Sequence, residues 1–149
     1  MPTLANNKQV HFDYEILETI EAGLVLTGQE AKSVKAGHMN LKGAFVTFHG
    51  SEALLTNAHI SKYPQAGPLP DYDPTRSRRL LIHKREIERL RGKLQEKGLT
   101  IVPTEVYTKN RFIKVKIGIA RGKHLYDKRQ TLKKRDAERE IRRTLKNSN

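Results

Sequence analysis

Residues 20–33 read Ile20-Glu21-Ala22-Gly23-Leu24-Val25-Leu26-Thr27-Gly28-Gln29-Glu30-Ala31-Lys32-Ser33, and their pattern changes halfway. Ile20, Ala22, Leu24 and Leu26 recur every second residue, the period of a strand with one buried face. Gly23 interrupts that run, so it is either two strands or one strongly bent one. At Thr27 the pattern switches. The Thr27 hydroxyl can accept from the amide three residues on, and Glu30 can reach back to the Thr27 amide, which makes a capping box. Gly37 reads as the stop, because glycine takes the left-handed conformation without strain. The stretch therefore predicts a strand running into a short helix, with Ala31 and Val34 toward the core.

The same patterning extends in both directions. Upstream, Val10, Phe12, Tyr14 and Ile16 alternate with His11, Asp13 and Glu15, which predicts a strand. A break at Leu17-Glu18 fits a β-bulge. Downstream, residues 44–48 and 52–56 predict two strands joined around His49-Gly50-Ser51. Residues 61–78 hold four of the six prolines, and a connection this long is expected to be functional or disordered. Its end, Asp71-Tyr72-Asp73-Pro74-Thr75-Arg76, leads into a second predicted helix with Asp73 as its cap. Leu80, Ile87, Leu90 and Leu94 form that helix's stripe, and Gly98 its stop. Residues 99–108 and 111–121 predict a hairpin around Lys109-Asn110, where Asn tolerates positive φ. Ile113, Val115, Ile117 and Ile119 share one face of its second strand, with Lys114 and Lys116 opposite. The order ββ-α-ββ-α-ββ predicts a mainly β fold with inserted α-helices, an OB-like small β-barrel.

Composition narrows the function. The 149 residues carry a formal charge of +13 and no cysteine, which rules out disulfide scaffolds and cysteine-based zinc sites. Aliphatic runs such as Leu24-Val25-Leu26 stop at three residues, far short of the roughly 20 that a membrane span needs. No secretory apolar region follows Met1. These features predict a cytoplasmic protein with a polyanionic partner, drawn in by counterion release. Residues 121–149 hold 11 basic and four acidic side chains, and few apolar ones. Such a segment cannot offset its own ordering entropy. We therefore divide the chain into an OB-like RNA-binding barrel, 1–120, and a basic C-terminal tail, 121–149, that is disordered or becomes helical on RNA. Asp127 can cap that helix, and Glu138–Arg142 and Glu140–Arg143 are spaced to support it.

Motifs for catalysis are missing. None of the six histidines pairs at helical metal spacing. Asp71 and Asp73 read as turn residues before they read as a cation site. There is no nucleophile elbow and no phosphate-cradling glycine loop. No metal or other cofactor is expected. RNA chemistry has more support. Phe12, Tyr14, Tyr63, Tyr72, Tyr107 and Phe112 sit among polar and basic residues, and barrel-type binders stack bases on such rings while cations hold phosphates. Taken singly, Phe12, Tyr14 and Phe112 read as core. Lys114 and Lys116 line up with Arg111 on one strand face.

Several separated blocks together resemble one family. Asn7-Lys8, Tyr14, Glu21 through Ser33 and Gly37 closely resemble the N-terminal signature of the SsrA-binding, small protein B (SmpB) family. Asp73-Pro74-Thr75-Arg76, Lys114-Val115-Lys116-Ile117-Gly118, Gly122-Lys123 and Asp127-Lys128-Arg129 match later blocks in order. The resemblance implies a non-enzymatic RNA-binding adaptor that carries transfer-messenger RNA to stalled ribosomes for trans-translation. It implies that Asn7, Glu21, Leu81 and Lys114 hold the tRNA-like domain. Gly122, Tyr126, Asp127, Lys128 and Arg129 are implied at the ribosomal decoding centre, and Lys133, Lys134 and Arg135 in the mRNA channel. The partners implied are that RNA and small-subunit ribosomal RNA, with no membrane, and the protein as a monomer in the complex. Tyr126 stands where well-known members carry histidine; a stacking role survives that change, and a role needing an imidazolium does not. Two other readings stand beside this one: a generic OB-type RNA or ribosome-assembly factor, and a nucleic-acid-processing enzyme using Asp71 and Asp73.

Overall fold

The computed structural model describes residues 2–123. The expectations for Tyr126, Asp127, Lys128, Arg129, Lys133, Lys134 and Arg135 lie outside the described residues. Strand β1 (Thr3–Asn6) leads through helix α1 (Lys8–Asp13) into β2 (Tyr14–Leu24) and helix α2 (Gly28–Lys35). Then come β3 (Met39–Asn40), β4 (Phe45–His49), β5 (Glu52–Thr56), β6 (His59–Ile60) and a 3-10 turn at Pro64–Ala66. Strand β7 (Arg78–Leu81), helix α3 (Lys84–Leu94) and the hairpin β8 (Leu99–Lys109)–β9 (Phe112–Gly122) complete the chain order. Seven strands form one antiparallel sheet in the order β1-β8-β9-β2-β7-β5-β4, and β3 pairs with β6. The sheet curls until β4 lies against β8. It is an OB-like, incompletely closed barrel.

The strand-to-helix junction forms as predicted. The Thr27 amide donates to Glu30 Oε1 at 3.1 Å and the Glu30 amide to Thr27 Oγ1 at 3.4 Å, so two orphan donors of the helix end are satisfied. Gly37 closes α2 with φ +87°. Val34 is buried, but Ala31 is only half-buried; Glu30 and Ser33 face inward instead. Strand β2 is continuous through Gly23, and its register with β9 shifts between Ile16 and Glu18, the bulge expected there. In β9, Val115, Ile117 and Ile119 are buried against Val106 and Ile101 of β8. Each such side chain contributes about 1.5–3 kcal/mol when taken from water. The β8–β9 turn is Asn110-Arg111, both residues at positive φ (51° and 71°), the two-residue type I′ geometry that matches strand twist.

Three expectations need correction. Residues 10–13 are helical, not extended. Only Val10 is buried in α1 while Phe12 is 65% exposed, so the alternation there was one of residue type without a shared buried face. The second helix starts at Lys84, and Leu80 belongs to β7, paired with Ala53 and Leu24. Asp73 caps no helix. Its Oδ1 accepts from the Thr75 amide at 2.9 Å and the Thr75 hydroxyl at 3.0 Å, a local turn. Tertiary contacts decide this region. Residues 61–78 are ordered and pinned to α2: the Tyr63 amide donates to Gln29 Oε1 at 2.9 Å, and Ser33 Oγ to the Ser61 carbonyl at 2.6 Å. Arg78, with no exposed surface, donates to Glu30 Oε2 from Nη2 at 2.6 Å and to the Ala58 carbonyl from Nη1 at 2.6 Å.

Candidate nucleic-acid interface

Register builds the site. Ala22, Val106, Val115 and Leu80 point into the core, so their neighbours along each strand point outward. Across four strands, Tyr107 (β8) stands opposite Lys114 (β9), Lys114 opposite Gly23 (β2), and Gly23 opposite Leu81 (β7). The next outward row is Glu105, Lys116 and Glu21. One face of the sheet thus presents two carboxylates, two ammonium groups and a leucine that is 56% exposed.

Gly23 gives this face its depth. A Cβ there would sit 3.1 Å from Leu81 Cβ, a contact tight enough to force displacement. With no side chain at Gly23, an open cleft of about 540 Å³ lies between Lys114 and Leu81, with Glu21, His83 and Glu86 also on its walls. Beside it, Phe112 is 66% exposed and lies 5.8 Å from Lys114 Nζ, within cation–π range. Lys116 is held by Glu105 at 3.1 Å. Lys114 makes no ion pair among the described residues.

Glu21 is oriented from beneath. The buried Tyr107 hydroxyl donates to Glu21 Oε2, and Lys109 Nζ lies 3.4 Å from Oε1 and 3.5 Å from Oε2. The Tyr107 hydrogen bond holds the Glu21 carboxyl below the usual carboxylate range against the opposing effect of desolvation, with Lys109 and the charge of Lys114 adding to it. Burial, then the adjoining carboxylate, pushes the Tyr107 phenol up. Glu21 is therefore ionised at neutral pH and can only accept.

Of the four residues expected to hold RNA, the structure brings together Glu21, Leu81 and Lys114. Asn7 lies elsewhere and is buried; its Nδ2 donates to the Pro103 carbonyl at 2.9 Å and the Leu41 carbonyl at 3.4 Å. It borders a second cleft, of about 350 Å³, with Gln9, Asp13, Tyr14 and Phe45. Gly122 ends β9, with its amide 3.3 Å from the Gly98 carbonyl. Phe12 and Phe112 are exposed, where each alone read as core, and Lys123 Nζ lies 5.9 Å from the Phe12 ring. Sequence reasoning missed Gly23 as the cleft floor and Tyr107 and Lys109 as the support of Glu21. Their only signal was outward position in strands whose pairing was unknown.

A curled antiparallel sheet with a charged, partly apolar outer face and an exposed ring beside a lysine fits the surface of an RNA-binding OB-like module. Similarity to known proteins narrows that class. The family model described as SmpB protein matches residues 4–147. The SsrA-binding protein of Ligilactobacillus salivarius (strain UCC118) is 58% identical over 144 residues, 97% of this chain and 92% of that protein. The SsrA-binding protein of Chloroflexus aggregans (strain MD-66 / DSM 9485) is 52% identical, covering 96% of this chain and 90% of that protein. A solved chain described as "tmRNA-SmpB: a journey to the center of the bacterial ribosome" superposes with a TM-score of 0.67 at 45% identity, over 80% of this chain and 84% of that one. The chain belongs to the SmpB protein family.

Proposed function

We propose that this chain is the RNA-binding adaptor of trans-translation: it binds the tRNA-like domain of transfer-messenger RNA and delivers that RNA to stalled ribosomes. The observation that carries this reading is the register row Lys114–Gly23–Leu81, which lines one cleft with Glu21 in a member of the SmpB family. Glu21, Leu81 and Lys114 contact the tRNA-like domain there. Asn7 supports the RNA surface indirectly, through its hydrogen bond to the Pro103 carbonyl in β8. The protein works by binding, without a chemical step of its own, in the cytoplasm where ribosomes stall. It acts as a monomer in the complex and needs no cofactor.

The division of labour follows the charge. Residues 1–120 recruit the RNA, and residues 121–149 engage the ribosome. Gly122, Tyr126, Asp127, Lys128 and Arg129 lie at the decoding centre, and Lys133, Lys134 and Arg135 follow the empty mRNA path. Their cations suit a channel walled by ribosomal RNA. Peptide tagging on stalled ribosomes tests this. Deletion of residues 122–149 is expected to abolish tagging while the remaining body keeps its affinity for the tRNA-like domain. Tyr126→Ala is expected to impair tagging, and Tyr126→His and Tyr126→Phe to retain it. A body that loses the RNA along with the tail would overturn the division, and normal tagging by Tyr126→Ala would remove that residue from the decoding centre.

A further inference from the structure

One short helix grips the chain where it leaves the sheet. Strand β9 ends at Gly122, opposite Tyr14, and the next residue, Lys123, is held by the C-terminal turn of α1. Its amide donates to the Asp13 carbonyl at 3.0 Å, and its Nζ donates to the His11 carbonyl at 3.4 Å. The same Nζ stands 5.9 Å from the centre of the Phe12 ring. The last carbonyls of a helix have no partner within it, so Lys123 brings donors, and a cation, to the end of α1 that favours them. Helix α1 is itself fixed: Val10 packs with Val102 and Ala120 in a small second core, with Tyr14 and Ile16 against it. Phe12 is not part of that core and is 65% exposed.

Resting on the division of labour proposed above, we propose that Phe12 is a positioning residue for the tail: its ring holds the Lys123 ammonium and so sets the direction in which residues 124–149 leave the body. A ring face attracts an ammonium within about 6 Å of its centre. The Asp13 contact fixes where Lys123 is, and the side-chain contacts fix which way it faces. The side chain and the carbonyl of a residue are substituents of one tetrahedral carbon, so pinning the first limits the directions open to the second. Tyr126 comes three positions later, and three residues span at most about 11 Å. A direction set at Lys123 therefore carries through to the residue assigned above to the decoding centre. The gain is entropic: a tail whose first residue is already oriented has less freedom left to lose when it docks. Exposure separates this role from packing, because a ring mostly in water adds little to the core and its removal leaves the fold intact.

The test uses the full chain. In its proton NMR spectrum the ε-methylene protons of Lys123 are expected upfield of those of the other lysines, because they lie over a ring. Phe12→Trp should keep that displacement and Phe12→Leu abolish it. An undisplaced Lys123 signal in the wild type would overturn the proposal. In peptide tagging on stalled ribosomes, Phe12→Ala and Lys123→Ala are each expected to lower the rate about two- to fivefold, the equivalent of an exposed cation–π contact. Thermal midpoint and affinity for the tRNA-like domain should match the wild type. The double variant should lose no more than Lys123→Ala alone, because coupled changes are not additive. Phe12→Trp should tag at the wild-type rate and Phe12→Leu like Phe12→Ala. Losses that add in the double variant would mean that Phe12 acts on a separate partner, such as a ribosomal base, and would overturn the proposal. Normal tagging by Phe12→Leu would overturn it too. Should Phe12→Ala melt below the wild type, Phe12→Leu, which keeps an apolar side chain there, decides in its place. Normal tagging after deletion of residues 122–149 overturns the functional reading itself. Tagging that needs the tail but ignores Phe12 overturns the positioning role alone.

Discussion

Glu30 and Glu21 are held by the same kinds of partner, a tyrosine hydroxyl and basic side chains, in two different settings. Glu30 has no exposed surface. Its Oε1 accepts from the Thr27 amide and Arg76, and its Oε2 lies within hydrogen-bond distance of Tyr72 Oη, Arg76 Nε and two nitrogens of Arg78. The side chain of Glu21 is 36% exposed and has only Tyr107 and Lys109. A carboxylate offers about four lone-pair sites. Around Glu30 they are used up, and the group ties α2 to residues 72–78. Around Glu21 some are left, and they face a cleft. Saturation therefore separates a glutamate that holds the fold from one that is free to recognise a ligand.

The largest effect should come from breaking the saturated site. Glu30→Gln leaves Arg78 buried with carbonyl partners but no counter-charge, and removing one partner of a buried pair costs about 3–5 kcal/mol. Urea unfolding should show that loss, while Glu21→Gln should unfold like the wild type. Equal midpoints for Glu30→Gln and wild type would mean that the Ala58 and Pro74 carbonyls satisfy Arg78 unaided. Acid gives a second measure. Burial by itself would push the Glu30 carboxyl up, but Arg76, the Thr27 amide and Arg78 outweigh it and hold the pKa at about 2. The unfolded value is near 4.5. The folded value is the lower one, so the stabilisation is complete above pH 4.5 and is lost as the pH falls toward 2. Urea midpoints across that window should fall steeply for the wild type and less so for Glu30→Gln.

Leu80 and Leu81 carry the same contrast within one strand. Leu80 is 2% exposed and Leu81 56%. Leu80→Ala should cost about 2–5 kcal/mol of stability, the cavity-forming range. Leu81→Ala should stay within about 0.5 kcal/mol of wild-type stability. It should nonetheless weaken RNA binding roughly fivefold, the equivalent of about 1 kcal/mol of apolar contact. Thermal melts and filter binding on the two variants separate the roles. RNA affinity unchanged in Leu81→Ala would remove the apolar wall from the site.

Local chemistry was legible in the sequence, and pairing was not. The Thr27/Glu30 box, the Leu17-Glu18 break, the turn at Asn110 and the Val115–Ile117–Ile119 stripe all depend on residues close in sequence, and all four are present. Arg78 as a buried cation depends on Glu30, 48 positions away, and no local pattern marks it. The same holds for the interface. Glu21, Leu81 and Lys114 were named through family resemblance, but their common row with Tyr107 and Gly23 follows from register across four strands. Two irregularities, at Ile16/Glu18 and Pro103/Glu105, shift that register. Alternation alone would also have buried Phe12, because it cannot see that residues 8–13 form a helix.

The smallest expected effect sharpens the contrast at the cleft itself, where Lys114 and Glu21 should answer differently to salt. Each neutralised phosphate releases counterions, so log K falls against log salt with a slope of about −0.7 to −0.9 per contact. Four to six contacts would give the wild type a slope of roughly −3 to −5. If Lys114 meets a phosphate, Lys114→Ala should make that slope shallower by about 0.7–0.9 while leaving any preference among bases unchanged. If Glu21 meets a base, it releases no phosphate counterion, and Glu21→Gln should shift the whole line to weaker binding with its slope preserved. Titrations of the tRNA-like domain over a series of KCl concentrations measure both quantities at once. A parallel shift for Lys114→Ala would place that ammonium on a base, and a changed slope for Glu21→Gln would show that the carboxylate acts on the surrounding field instead of on a donor edge.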